Sequence, residues 1–217
     1  EHLSDICGEI MYYAQNPKEA LKMVSMQGEE RLKEALSRGK GVVAVSAHFG
    51  NFPVMVYWMA LKGYKVNVIM RSPRDRRVAD FVLERARQSG IHVIYTIPNR
   101  QCVQEAMRAL RRGEILFILL DQNYGADARV HVNFFGRDSA AGASPVIFSR
   151  RTGAAVVPMF CVRRRDHTHC IYVEPPVEMT GDDRSEPAED IQKIISLIER
   201  YIRQDPPLWA WMHNRWK

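Results

Sequence analysis

The residue best placed to do chemistry in this sequence is a histidine at the end of a short apolar run. Residues 42–45, Val-Val-Ala-Val, are too few for a typical helix and rich in β-branched side chains, which predicts a buried strand. His48, Gly50 and Asn51 then break the run. Residues 52–61 read as an apolar helix with Pro53 in its first turn, where a missing N–H costs nothing. This delivers His48 to the carboxyl end of a strand, where open α/β sheets place their sites. An imidazole there can exchange a proton near neutral pH, or it can do no more than satisfy a hydrogen bond in a turn. If the chain has an active site, it is expected here, with Asn51 in the same turn as a substrate-binding candidate.

Other candidates lie further along. Asp121 closes an apolar strand expected over residues 115–120, so its carboxylate should emerge near the strand tips that carry His48, or else cap the following turn. Gly136 and Arg137 open a small-residue loop, 136–143, that should feed a helix at 144–151. Backbone N–H groups at such a helix start suit a phosphate or thioester oxygen. The loop lacks the glycine spacing of a dinucleotide fold, so no nucleotide cofactor is expected. Residues 166–170, Asp-His-Thr-His-Cys, contain metal-capable side chains, yet no second ligand pair stands at zinc spacing, and no metal is expected. Ser46, Ser139 and Ser144 sit outside any G-x-S-x-G elbow, which argues against an α/β-hydrolase.

The elements that must position these residues alternate in type. Helical patterns cover residues 3–14, 29–37, 52–61, 75–88, 99–111 and 186–204, with Gly39 and Gly90 as stops and Asn99 as a cap. Strand patterns cover 21–27, 42–45, 65–70, 91–95, 115–120 and 129–135, then a pair over 154–163 and 168–174. The alternation predicts an α/β fold, a largely parallel or mixed central sheet flanked by helices, in a single domain spanning residues 1–217. The aromatic tail, residues 208–217, fits either a membrane interface or docking of its tryptophans into the core.

Lysine and arginine number 31 against 25 acids, a net charge of +6, with much of the excess in arginine clusters. Such a surface favours acidic partners, among them anionic lipid headgroups, phosphorylated substrates or an acidic carrier protein. Nucleic acid is not expected, since no recognition motif accompanies the charge. The cysteines, Cys7, Cys102, Cys161 and Cys170, form no CxxC pair and read as reduced packing residues, although Cys161 and Cys170 could face each other across a hairpin. No apolar run approaches the roughly 18–20 residues that cross a bilayer.

Several ordered motifs carry a resemblance. These are residues 41–51, Asp121-Gln122-Asn123-Tyr124-Gly125, the loop at 134–141, the Thr-Gly-Ala-Ala-Val-Val-Pro run at 152–158, and the tail from Trp209 to Lys217. From about Gly28 onward the chain resembles the bacterial lipid A biosynthesis acyltransferases, within the glycerolipid-acyltransferase-like superfamily. The resemblance implies an O-acyltransferase that needs no cofactor. It would move a fatty acyl chain from acyl carrier protein to a hydroxyl of a lipid A precursor or related glycolipid. It also implies work at an anionic membrane surface, on the cytoplasmic face of the bacterial inner membrane, with an N-terminal anchor that this chain, beginning at Glu1, does not show.

The same resemblance implies a His-x4-Asp/Glu motif in which histidine is the general base. Arg71, just past a strand, matches an arginine of the family, and Arg85 or Arg87 falls near another on the next helix; Arg71 and Arg85 are the ones expected to serve the acceptor or the oxyanion. Here the sequence departs from the pattern, because Pro53 stands where the acid belongs and can neither accept a hydrogen bond from imidazole nor carry charge. Either another carboxylate supports His48, Asp121 first and Asp75 second, or an unsupported histidine works slowly, or the chemistry is lost and a lipid- or carrier-binding domain remains.

Overall fold

The computed structural model describes residues 2–123, 130–181 and 184–216, without the side chains of residues 2–4 and 7. Tyr124 and Gly125 of the motif after Asp121, Arg129, Lys217 and the side chain of Cys7 lie outside the described residues. The chain runs α1 (His2–Gln15), α2 (Pro17–Met23), β1 (Val24–Gln27), α3 (Glu29–Ser37), β2 (Val42–Ser46), α4 (Phe52–Leu61), β3 (Val66–Met70), α5 (Arg76–Gln88), β4 (His92–Tyr95) and α6 (Asn99–Arg111). It continues through β5 (Ile115–Leu119), the hairpin β6 (Val130–Phe134) and β7 (Arg137–Ala141), α7 (Ser144–Thr152), β8 (Ala155–Arg163), β9 (His169–Val173) and α8 (Ala188–Gln204).

The expected α/β architecture is present as a seven-stranded sheet in the order β1-β9-β8-β2-β5-β3-β4. Five strands, β8, β2, β5, β3 and β4, run parallel, while β9 pairs antiparallel with β8 and parallel with β1. Both faces are covered, so the central strands need no polar side: every residue of β2 is buried. Alternate side chains go to opposite faces. Val43 and Val45 join Leu116, Ile118 and the inner side of α8, whereas Val42 and Ala44 join Ile115, Phe117 and α4. Helix α4 is apolar all round because it is enclosed, with Val54, Met55 and Met59 fully buried between the sheet and α1 and α2.

Three local expectations are corrected. The strand expected over 21–27 is half helix: Pro17 starts α2, the good helix formers Lys18 to Lys22 extend it, and only Val24–Gln27 are extended. Asn99 is the first residue of α6 rather than its cap, a place taken by Pro98. The loop expected over 136–143 is mostly strand, since Arg137–Ala141 pairs with β6 through a two-residue turn in which Phe135 (φ 55°) and Gly136 (φ 78°) are both left-handed. The turn lacks the usual Asn-Gly signal. Phe135 is held instead by its N–H bond to Glu199 Oε2 and by packing against Trp209 and Trp216.

Candidate active site

The sheet register decides what faces His48. Strands β2 and β5 are parallel with Val42 opposite Ile115 and Ser46 opposite Leu119, and Leu120 N–H extends the ladder to the Ser46 carbonyl. Continued by two residues on each strand, that register brings Asp121 opposite His48. The His48 Nδ1–Asp121 Oδ1 distance is 2.9 Å across 73 residues of sequence. Pro53 lies instead in the first turn of α4, whose cap is the Asn51 side chain accepting from Val54 N–H at 3.1 Å.

Beyond β2 the chain is clamped on both sides. Gly50 (φ 58°) runs against β8 so closely that a Cβ would sit 1.7 Å from the Cys161 carbonyl oxygen, a position only glycine can hold. On the other side the carboxyl-terminal tail is a short partner. Gly50 N–H donates to the Leu208 carbonyl at 2.8 Å and Ala210 N–H to the His48 carbonyl at 2.9 Å, bracketing a bridge between Phe49 and Trp209. Trp209 thereby points its indole N–H at Asp121 Oδ2, 2.8 Å away. The tail therefore docks through Trp209, while Trp211 stays half-exposed.

Asp121 is 2% exposed, and burial alone would raise its pKa. Hydrogen bonding and charge from His48, the Trp209 indole and the His48 backbone outweigh that and hold the carboxyl below the ordinary aspartate range. An ionised carboxylate on Nδ1 places the ring proton there and leaves Nε2 as the acceptor. Nε2 faces the Gln122 side-chain nitrogen at 3.1 Å, and the ring, 26% exposed, packs edge-on against Phe52. Arg215, fully buried, ties the assembly together, donating from Nη1 to the Gln122 and Ala140 carbonyls with its guanidinium over the Phe134 ring. His213 Nε2 accepts from Asn123 N–H at 3.1 Å.

The other residues singled out in the sequence distribute unevenly. Asn51 is buried with both polar atoms engaged: its oxygen caps α4 and its Nδ2 donates to Glu9 Oε2 at 2.6 Å. Arg71 is exposed, one residue past β3, at the same sheet end as His48. Arg85 is not brought to His48. Helix α5 runs back against the strands, so its last turn lies at their amino ends, and the Arg85 guanidinium sits 5.3 Å over the Phe81 ring. Gly136 donates its N–H to Asn133 Oδ1 within the hairpin, and Arg137 lies over Trp216, so neither presents a helix start to an anion. Asp75, the second carboxylate candidate, caps α5 through Arg77 N–H.

Sequence reasoning missed Gln122, Trp209 and Arg215. Each lay within a noted motif, but bringing Trp209 to Asp121 and Arg215 to the Gln122 carbonyl depends on folding the tail back across the strand ends. It also missed Glu9 on α1, which receives His169 Nε2 at 3.0 Å, Asn51 Nδ2 and an ion pair from Arg163 at 2.9 Å. Of the metal-capable side chains at 166–170, His169 begins β9, while His167 sits in the preceding turn with Arg163 against its Nδ1. Cys102, Cys161 and Cys170 are buried free thiols.

Comparison with known proteins agrees with this architecture. The family model for bacterial lipid A biosynthesis acyltransferase matches residues 4–217. The chain is 25% identical over 198 residues to a lipid A biosynthesis palmitoleoyltransferase of Escherichia coli strain K12, covering 90% of this chain and 62% of that protein. A lipid A biosynthesis lauroyltransferase of the same strain is 23% identical over 193 residues, covering 88% and 60% respectively. A lipid A biosynthesis acyltransferase of Haemophilus influenzae is 22% identical over 200 residues, covering 90% and 61%. The chain thus spans about three fifths of the length of the curated relatives it matches. On the match across nearly its whole length, the chain belongs to the bacterial lipid A biosynthesis acyltransferase family.

Proposed function

We propose that this chain, as one domain, transfers a fatty acyl group from the thioester of an acyl carrier protein to a hydroxyl of a lipid A precursor or related glycolipid, with His48 as general base and Asp121 as its support. The observation that carries the reading is the 2.9 Å contact of Asp121 with Nδ1, which leaves the partly exposed Nε2 as the proton acceptor. The acceptor hydroxyl displaces the Gln122 amide from Nε2, and its oxygen attacks the thioester carbonyl carbon as its proton passes to Nε2. The tetrahedral adduct expels the thiolate, which takes that proton back from the imidazolium, giving an ester and a free thiol. General-base assistance of this kind is worth roughly 10²–10⁴ in rate, and the ionised carboxylate stabilises the imidazolium that forms.

Arg71, at the same sheet end, is proposed to meet a phosphate of the acceptor. The printed activities of the relatives, palmitoleoyl and lauroyl transfer, support a long-chain donor. No helix of the described residues is long and apolar enough to cross a membrane. The proposed location is the cytoplasmic face of the inner membrane, held peripherally or by an anchor outside this chain. With a carboxylate on Nδ1, the alternative of a binding domain that lost its acid loses its premise. The test is acyl transfer from acyl carrier protein by the purified chain against His48→Ala. A fall of about 10² or more supports the proposal, and equal background rates in both sink it.

A further inference from the structure

Several of the exposed large apolar side chains gather at the sheet end that holds His48. Ile97, 80% exposed, follows β4, and Trp211 (54%) and Met212 (77%) follow Ala210, whose N–H is bonded to the His48 carbonyl. Helix α5 leaves the same end beside β4. Its Val78 (49% exposed), Phe81 (55%) and Arg85 recur at helical spacing along one flank, with Arg77 alongside, while Ala79 is buried toward the sheet.

Basic groups outnumber acidic ones along this flank. Asp80 and Glu84 pair with Arg76 and Arg87. Among the described residues, no carboxylate lies within ion-pair distance of Arg71, Arg74, Arg77 or Arg85. Arg85 rests on the face of Phe81. A surface at the start of a helix where guanidinium groups flank exposed aromatic and aliphatic side chains suits contact with the headgroups of an anionic bilayer.

We propose that the α5 flank of Arg77, Val78 and Phe81, with Arg74 and Ile97, is a docking surface for an anionic lipid bilayer, which turns the His48 end of the sheet toward lipid. This rests on the proposed function for the lipid acceptor. A purely acidic protein partner would account for the unpaired arginines but not for Ile97 and Phe81 standing between them in water. A bilayer accounts for both, since acyl chains take the apolar groups and phosphates take the guanidinium groups.

The experiment is co-sedimentation of the full chain with vesicles of phosphatidylcholine alone or with added phosphatidylglycerol. Wild type should partition onto the anionic vesicles and be released by salt. Arg74→Gln/Arg77→Gln should weaken that partition roughly 30-fold. Phe81→Ser/Ile97→Ser should weaken it about tenfold or more, with melting temperature and transfer to a detergent-dispersed acceptor unchanged. Partition equal to wild type in both variants overturns the proposal. So does an increase in KM for acyl carrier protein, without vesicles, in the arginine variant, which would give the surface to the carrier. An inactive chain that still binds vesicles through these residues upholds the surface and removes only the activity. An active chain that ignores vesicles removes only the surface.

Discussion

Asp121 and Glu9 each hold a histidine near the carboxyl ends of the central strands, at 2.9 Å and 3.0 Å, and their surroundings differ in what the second ring nitrogen meets. His48 is 26% exposed, with Nε2 facing the side-chain amide of Gln122. His169 is fully enclosed, and its Nδ1 has no hydrogen-bond partner among the described residues. Glu9 also takes Arg163 and the amide of Asn51, so this second pair joins α1, the β8–β9 hairpin and the cap of α4. A carboxylate–imidazole contact is therefore not in itself a site. Access to the far nitrogen separates a proton acceptor from a buried tie, which predicts that one pair governs rate and the other stability.

The largest difference should appear on removing each carboxylate's charge. Asp121→Asn is expected to lower kcat by about 10³–10⁴ with a modest change in melting. Glu9→Gln should cost roughly 1–3 kcal/mol of stability and leave kcat per folded molecule within a few-fold of wild type. Steady-state transfer assays and urea unfolding check the pair, and a catalytic defect in Glu9→Gln equal to that of Asp121→Asn would erase the distinction.

Removing the buried ring is next. His169→Ala empties an enclosed site and strips a donor from Glu9, at a cost of about 2–4 kcal/mol in thermal or urea melts, with the remaining folded protein still active.

Acid should weaken both pairs. In Asp121 and Glu9 alike, burial pushes the carboxyl up and the histidine partner leads the hydrogen bonds and charges that bring it below its ordinary value. Depressed folded values add stability that is complete above the unfolded carboxylate range, about 4, and is lost as pH falls through the folded values. Stability measured downward from pH 5 should therefore drop less steeply in Glu9→Gln than in wild type. An equal slope would show that Glu9 carries no such linkage.

The smallest expected effect concerns the tail. Trp209→Phe keeps an aromatic ring beside Phe134 but removes the indole N–H from Asp121, costing roughly 1–3 kcal/mol of stability and less kcat than Asp121→Asn. A kcat loss exceeding that of Asp121→Asn would mean that Trp209 does more than hold the carboxylate.

Much of the site's position was legible locally. A valine run ending in His-Phe-Gly-Asn before an apolar helix marks a strand tip, and the Ile115 strand ending at Asp121 needs only a parallel neighbour in register to bring the two together. What stayed hidden depended on direction or on long separation. Arg85 matched by sequence position, but a helix returning antiparallel to its strands carries its last turn to the far end of the sheet. The β7 strand was masked by small and polar residues and by a turn whose left-handed Phe135 is held by tertiary contacts, a hydrogen bond to Glu199 and aromatic packing. Glu9 and His169 meet across 160 residues, and neither lies in a periodic pattern that would pair them.

The central claim is that Asp121 acts through His48, and a double-mutant cycle on kcat/KM tests it most directly. If the carboxylate only orients and supports the imidazole, Asp121→Asn should slow wild type by about 10³–10⁴ yet change the His48→Ala protein by less than about threefold. Losses that multiply in the double variant would contradict the account.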